Sequence, residues 1–496
     1  MEQSEGPEAS RAAGSAARGR RGILRSLRDH RQAWLIAAAC VAFAVLGSGA
    51  VAVGAAVGAP AASATRAPGH SSSPSASAAP THTPRPTPAT ASAAAPIRTC
   101  SVDALAQDAR LGNLEAQVVN AKTGEVLFDR NGSKPNPTAS VMKVVTSAAA
   151  LAILGPNYRV STTVVAGPDA NSVILVGGGD STLSRLPTGD EPFYRGAAHL
   201  DDLAKQTVAN HPAPITTVYV DTSLFGAPYW QPTWNEHEER FVDGSSSYVT
   251  ALQVDGDRAD PHAMDSQRGD DPVTVAANAF VAALASEQGA APAYKGESKA
   301  AAGAAQLAVV QSQPVSSLIK LAVTYSDNTI MEMLTRLVAI KTGSGNTFAA
   351  ENAGVLKGLA AYGIDTTGVH VADGSGLSDQ NAVPPSFLTQ LFIKVLNGDK
   401  GLGVVYDGLP IAGKTGTLAP GYGRFTGASA VARGAVHAKT GSVDGGFSLA
   451  GIINAKDGTA LTFAVYAFGN VNTSARAAID ALTAGFYTCG NNLSDN

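Results

Sequence analysis

A serine three residues ahead of a lysine, Ser140-Val141-Met142-Lys143, is an arrangement in this chain whose residue types could do covalent chemistry. On a helix a three-residue step brings both side chains to one face, so the lysine amine can reach the serine hydroxyl. A helix N-terminus at the same place favours negative charge. The lysine can serve as a base if burial and neighbouring positive charge lower its pKa. Hydrolysing an amide requires such a nucleophile and base together with donors for the oxyanion. Other hydrolytic designs find no support: the chain has no G-x-S-x-G elbow and no H-E-x-x-H. Its nine histidines are scattered without the spacing of a ligand set, so neither a metal nor another cofactor is expected.

Single motifs of this kind are cheap. Ser317-Leu318-Ile319-Lys320 repeats the S-x-x-K pattern. An S-x-N pattern occurs as Ser326-Asp327-Asn328 and as Ser344-Gly345-Asn346. Lys-Thr-Gly occurs four times, at Lys122, Lys341, Lys414 and Lys439. Order and setting must therefore choose among them. Ser140 opens a long apolar helix, whereas Ser317 would put its lysine only six positions before Ser326, too little chain to shape a cleft. Lys122 falls in a hairpin turn and Lys341 at a helix C-terminus. Lys414 lies in a loop-like stretch with Pro420 and Gly421 and is the serious rival. Lys439-Thr440-Gly441-Ser442 alone opens a terminal strand that could hold a substrate by backbone pairing.

The elements that must position these groups can be read in outline. Ser101 to Arg110 is predicted as a short helix, and Ala116–Val119 with Val126–Arg130 as a hairpin around Thr123-Gly124. Ser140–Leu154 is predicted as a helix. Val436–Ser442, Phe447–Asn454 and Ala460–Phe468 read as a three-strand meander, closed by a helix over Ala475–Phe486. Hairpin, helix, meander and terminal helix together give an α+β layout, an antiparallel sheet flanked by helices. Residues 156 to 310 differ in character, with strand-like stretches at Thr162–Ala166, Val173–Val176 and Thr216–Val220 and one helix at Ala276–Ala285. They are expected to form a β-rich insertion, leaving 98–155 and 311–490 as the catalytic domain.

The chain has 496 residues, 45% of them hydrophobic and 15% charged, with a net charge of −4 and a pI near 6.1. A sizeable core is available, and nothing points to nucleic acid as a partner. Residues 1 to 33 carry a cluster of arginines, among them Arg18, Arg20, Arg21, Arg25, Arg28 and Arg31. Trp34–Gly58 then carries no charge and is long enough to cross a ~30 Å hydrocarbon core as a helix. The arginines ahead of it would leave the N-terminus in the cytoplasm and the rest of the chain outside. A signal peptide cleaved after Ala62-Ser63-Ala64 is the alternative. Residues 59 to 97, rich in Ala, Ser, Thr and Pro, cannot build a core and read as an extended stalk. Of the three cysteines, Cys40 falls inside the apolar run. Cys100 and Cys489 stand at the two ends of the globular part, where they could form one bridge or remain separate thiols.

Taken in order, Pro137-Thr138-Ala139-Ser140-Val141-Met142-Lys143, Ser326-Asp327-Asn328 and His437-Ala438-Lys439-Thr440-Gly441-Ser442 resemble the class C low-molecular-mass penicillin-binding proteins, the D-alanyl-D-alanine carboxypeptidases/endopeptidases. Gly177-Gly178-Gly179-Asp180-Ser181-Thr182-Leu183 and Asp373-Gly374-Ser375-Gly376-Leu377-Ser378 extend the likeness over residues 100 to 489. The resemblance implies a transpeptidase-like domain with an insertion after S-x-x-K, acting on peptidoglycan stem peptides and acylated by β-lactams. It implies that Ser140 attacks the penultimate D-Ala carbonyl with Lys143 as base, while Ser326 and Asn328 relay protons and hold the substrate amide. Lys439 and Thr440 would bind the terminal carboxylate, with Gly441 beside them in the motif, and the backbone N–H groups of Ser140 and Ser442 would form the oxyanion hole. Asp180 and Asp373 are expected to fix turns. The chain departs from the family pattern at Lys414-Thr415-Gly416, where Gly-x-Asp-Gly-Thr-Leu would be typical, and its insertion is shorter than the largest. A β-lactamase and a non-enzymatic wall-binding protein are the competing readings; no Glu-x-x-Leu-Asn follows Ser326 to supply a deacylating base of the class A type.

Overall fold

The computed structural model describes residues 97–495. The expected membrane helix Trp34–Gly58 and the stalk up to residue 96 lie outside the described residues. Among the described residues no helix is long and apolar enough to cross a membrane.

In chain order the elements that matter are β1 (Asn113–Asn120), β2 (Val126–Arg130), α1 (Met142–Ile153), β3 (Ser161–Ala166), β4 (Ser172–Val176), α2 (Leu200–Asn210), β5 (Thr217–Asp221), α3 (Pro272–Gln288), β6 (Ala293–Glu297), β7 (Gln306–Gln311), α4 (Val315–Tyr325), α5 (Asn328–Lys341), α6 (Phe348–Leu359), α7 (Pro385–Asn397), β8 (Val436–Val443), β9 (Gly446–Asn454), β10 (Ala460–Phe468) and α8 (Ala475–Cys489). Strands β8, β9 and β10 form an antiparallel meander with β9 in the middle. The β1–β2 hairpin lies beside β10, where the Ala121 amide donates to the Ala460 carbonyl at 2.9 Å.

Alternation along the meander divides its side chains between two cores. Leu449 and Ile453 of β9 and Leu461, Phe463 and Val465 of β10 join one apolar cluster with Ile479, Leu482 and Phe486 of α8. Ala450 and Ile452 of β9 and Ala464 and Tyr466 of β10 face the other cluster, built from α1, α4, α5, α6 and α7. Successive strand residues point to opposite faces, so a sheet covered on both sides reads as a nearly continuous apolar run. Each fully buried Val, Leu, Ile or Phe contributes roughly 1.5–3 kcal/mol by leaving water.

Two expectations need correction. Residues 101–110 form only a single turn, Asp103–Ala106, and a 3-10 turn, Ala109–Leu111. Asp108 stops the helix by taking the Arg110 amide on its own side chain at 3.0 Å. The 156–310 stretch is not β-rich in the expected sense, since α2 and a longer α3 contribute as much as the strands. Its sheet runs β6-β5-β4-β3-β7, with β4, β5 and β6 parallel and the β3 pairings antiparallel. Parallel neighbours need a crossover, and α2 and α3 supply it. Both helices bury one face in a third apolar cluster with this sheet, through Leu200, Leu203 and Ala204 of α2 and Ala276, Phe280 and Leu284 of α3.

The two ends of the described chain meet. Cys100 and Cys489 are joined as a disulfide across 389 residues. Cys100-Ser101 pairs in parallel with Leu493-Ser494, and α8 packs on the turn containing Leu105. Non-reduced digests are therefore expected to yield one linked Cys100–Cys489 peptide pair. Cys489→Ser should lower the stability of the folded part by about 2–5 kcal/mol, measured by denaturant titration. Two alkylatable thiols in the native protein would contradict the pairing.

Candidate active site

The turn bearing Ser140 is shaped by what packs behind it. Ala139 takes a φ of 49°, left-handed for a residue with a side chain, a conformation that costs about 1–2 kcal/mol. Ser140 therefore sits in a 3-10 turn, Ala139–Val141, and the regular helix begins only at Met142, two residues later than the pattern predicts. Two glycines allow the neighbours to close in on this turn. A Cβ on Gly441 of β8 would lie 2.6 Å from the Thr138 carbonyl, and one on Gly376 would lie 2.0 Å from that of Ala139. Ser448 of β9 donates to the Thr138 carbonyl at 2.6 Å, pinning the turn to the sheet.

Lys143 is fully buried one turn further on. Its Nζ donates to Ser140 Oγ at 2.9 Å, to Asn328 Oδ1 at 2.7 Å and to the Ser375 carbonyl at 2.7 Å. Burial pushes its pKa down to about 8, against the opposing pull of Asp373, Glu332, Asp327 and Glu239. Ser326 ends α4 with a left-handed φ of 64° and is half-buried. Asp327 caps α5, accepting from the Ile330 amide at 2.8 Å. Lys439, also fully buried, donates to Ser326 Oγ at 3.0 Å and to the Thr440 carbonyl at 2.9 Å. Burial, and then the nearby Lys143, hold Lys439 well below the usual lysine range. Neither lysine has an ion-pair partner among the described residues. The Thr440 hydroxyl meets that of Thr417 at 2.8 Å, and exposed Ser442 is the last residue but one of β8, paired with Phe447.

Burial separates this set from the look-alikes. Lys143 and Lys439 are the two lysines buried among the described residues; Lys122, Lys320, Lys341 and Lys414 are all exposed. Lys414 stands in the loop before a 3-10 turn and Lys341 is the last residue of α5. Ser317 is exposed on α4. Asp373 holds a turn, accepting from the Gly376 and Ser378 amides and from the Asn381 and Trp234 side chains. That turn aims the Ser375 carbonyl at Lys143. Asp180 likewise accepts from Thr182, from its amide at 2.8 Å and its hydroxyl at 2.6 Å.

The motifs do not announce several further groups. Arg258 forms a buried ion pair with Asp327 at 2.9 Å, and Tyr194 donates to the same carboxylate oxygen at 3.0 Å. Although burial raises Asp327, Arg258 and the Ile330 amide leave it below the ordinary carboxylate range. Ser246 receives a hydrogen bond from Asn328 at 3.2 Å. Beside Ser442 opens a groove of about 590 Å³, walled by Trp234, Leu377, Phe447 and Arg476, in which carboxylates such as Glu239 and Asp379 outnumber the single arginine.

A serine hydroxyl held by a desolvated lysine, with a second buried lysine on an adjoining strand, is an arrangement suited to a serine acyl hydrolase. Residues 99–297 and 266–487 match the D-Ala-D-Ala carboxypeptidase 3 (S13) family. The chain is 36% identical over 387 residues to a carboxypeptidase DacB of Mycolicibacterium smegmatis, covering 77% of this chain and 81% of the relative. It is 27% identical over 455 residues to a D-alanyl-D-alanine carboxypeptidase of an Actinomadura species, covering 77% and 82%. Its fold resembles that of penicillin binding protein 4 (dacB) from Haemophilus influenzae, with a TM-score of 0.63 at 20% identity over 76% of this chain and 95% of that one. The chain belongs to the D-Ala-D-Ala carboxypeptidase 3 (S13) family and is a serine-type D-Ala-D-Ala carboxypeptidase.

If Lys143 must be neutral to take the Ser140 proton, the second-order rate of acylation by penicillin should rise through about pH 8 and then level. A rate that stays flat from about pH 6 to 9 would contradict this use of Lys143.

Proposed function

We propose that Ser140 is the nucleophile and Lys143 its base in the removal of the terminal D-Ala from peptidoglycan stem peptides. The observation that carries this reading is the buried amine of Lys143, 2.9 Å from the Ser140 hydroxyl. Ser140 Oγ attacks the penultimate D-Ala carbonyl, Lys143 accepts its proton, and the terminal D-Ala leaves as the amide bond breaks. Ser326, bonded to Lys439, lies on the route by which a proton reaches the leaving amine. Water then hydrolyses the ester and regenerates Ser140. The backbone N–H groups of Ser140 and Ser442 stabilise the oxyanion, and the Asn328 side chain holds the substrate amide.

Lys439 binds the substrate carboxylate, helped by Thr440. A buried ammonium lacking a counter-ion is costly, and an incoming carboxylate provides one. The same site accounts for β-lactams, which carry a carboxylate and acylate the same serine; the Haemophilus influenzae relative is known complexed with a β-lactam. The groove beside Ser442 receives the rest of the peptide. We place this unit outside the cytoplasmic membrane, held by Trp34–Gly58 as an uncleaved anchor. The arginine cluster before that run and the Cys100–Cys489 bridge support this placement.

Mass spectrometry of reactions with a pentapeptide and with a cross-linked dimer is expected to detect released D-Ala from the pentapeptide, and none with Ser140→Ala. Undiminished release by that variant would sink the assignment, while cleavage of the dimer would add endopeptidase action. Lys439→Ala should lower acylation ten- to a hundredfold, since a charge-assisted contact contributes about 1.5–3 kcal/mol; Lys414→Ala should change it little. The reverse pattern would move carboxylate binding to the Lys414 loop. N-terminal sequencing of the mature protein should read upstream of Trp34, and a start at Thr65 would show a cleaved signal instead.

A further inference from the structure

The side chain of Asn328 has two ends of nearly the same shape and opposite function. In the orientation observed, Oδ1 accepts from Lys143 and Nδ2 points toward residues 245 and 246. Turned over, the amide would present its own donors to the lysine amine and leave both groups without an acceptor. What selects the productive orientation lies outside the three motifs. Nδ2 donates to the Ser246 hydroxyl at 3.2 Å and, more distantly, to the Ser245 carbonyl at 3.4 Å. A carbonyl can only accept, so an inverted amide would set oxygen against oxygen there.

The loop carrying Ser246 is itself held. The Glu239 carbonyl accepts from the Ser245 and Ser246 amides at 2.9 and 3.2 Å. The Glu239 carboxylate accepts from the Ser245 hydroxyl at 2.6 Å, and buried Arg268 donates to the Gly244 carbonyl at 2.9 Å. The same stretch of chain supplies Arg258, which grips Asp327 next door. The Ser326-Asp327-Asn328 element is thus clasped by three side chains from the segment between Lys143 and Ser326, those of Tyr194, Ser246 and Arg258. Ser246 is buried, and its hydroxyl faces the catalytic amide rather than the groove that would receive substrate.

We propose that Ser246 is a positioning residue for the carboxypeptidase reaction: the Ser245 carbonyl sets which end of the Asn328 amide faces it, and the Ser246 hydroxyl holds that end in place so that Oδ1 stays on Lys143, which makes the 156–310 segment part of the active site. This rests on the reading of Lys143 as the base. The hydrogen bond from Lys143 to Asn328 Oδ1 favours the charged amine, so weakening it should ease deprotonation. The other charges facing Lys143, namely Asp373, Glu332, Asp327 and Glu239 on one side and Lys439 on the other, stay in place when Ser246 is changed.

The test compares penicillin acylation across pH for the parent, Ser246→Ala, Ser246→Thr and Ser247→Ala, with thermal melts of each. Ser247 is equally buried in the same loop but bonds Gln253 rather than Asn328. Ser246→Ala should lower the plateau rate about fivefold, the effect of losing one neutral hydrogen bond. It should also move the rising limb to lower pH, whereas Ser247→Ala should leave that limb in place and Ser246→Thr, which keeps the hydroxyl, should restore it. An unmoved limb in Ser246→Ala, with or without a lost rate, overturns the proposal, as does the same shift in Ser247→Ala. If the parent itself has no limb near pH 8, the reading of Lys143 as base fails first and takes this inference with it.

Discussion

The chemistry proposed for this site depends on keeping one lysine amine dry. In water the Lys143 amine would be protonated at neutral pH and unable to accept a proton from Ser140. Burial between α1, α5 and the 373–378 turn pushes its pKa down to about 8, while a hydroxyl, a side-chain amide oxygen and a backbone carbonyl occupy its hydrogen-bonding directions. Carboxylates are present in the same region, yet none is within ion-pair distance of the amine. Glu332 is itself pushed up, first by burial and then by Asp373, which weakens its hold on the lysine. An aspartate in direct contact would restore the ammonium and remove the base.

The rest of the fold can be understood as support for that arrangement. The meander carries Lys439 to the Ser140 turn only because Gly441 allows β8 to press against Thr138 and Ala139. The register opposite β9, with Lys439 facing Ala450 and Gly441 facing Ser448, fixes which residue reaches the turn. Two cores, one on each face of the meander, hold this strand so that Lys439 cannot retreat toward water. From the other direction Arg258 and Ser246 hold the Ser326–Asn328 element. A cleft assembled from three distant parts of the chain is thus made stiff by packing rather than by the motifs themselves.

Much of this was legible in the amino-acid sequence, for definable reasons. Strands β9 and β10 of the meander are largely apolar runs bounded by turn residues, and the observed limits of all three strands differ from the expected ones by a residue at most. The order of Ser140, Ser326 and Lys439 along the chain singled out the groups that the fold brings together. The 156–310 segment was less legible. Helix α2 buries Leu200, Leu203, Ala204 and Thr207 at helical spacing, a pattern available in the sequence but short and diluted by charge. The parallel pairing of β4, β5 and β6 has no local signature, because it depends on the crossovers. Arg258 and Ser246 carry no motif at all: an arginine in an Asp-rich stretch and one serine among three become meaningful only once the chain returns them to Asp327 and Asn328.

Whether the nucleophile is the serine held by Lys143 can be read from the position of the covalent adduct. The purified protein would be acylated with a penicillin, digested, and sequenced by tandem mass spectrometry. A single acylated residue is expected, Ser140, on the peptide that leads into α1. An adduct on Ser317, Ser326 or any other residue, with Ser140 left unmodified, would contradict it.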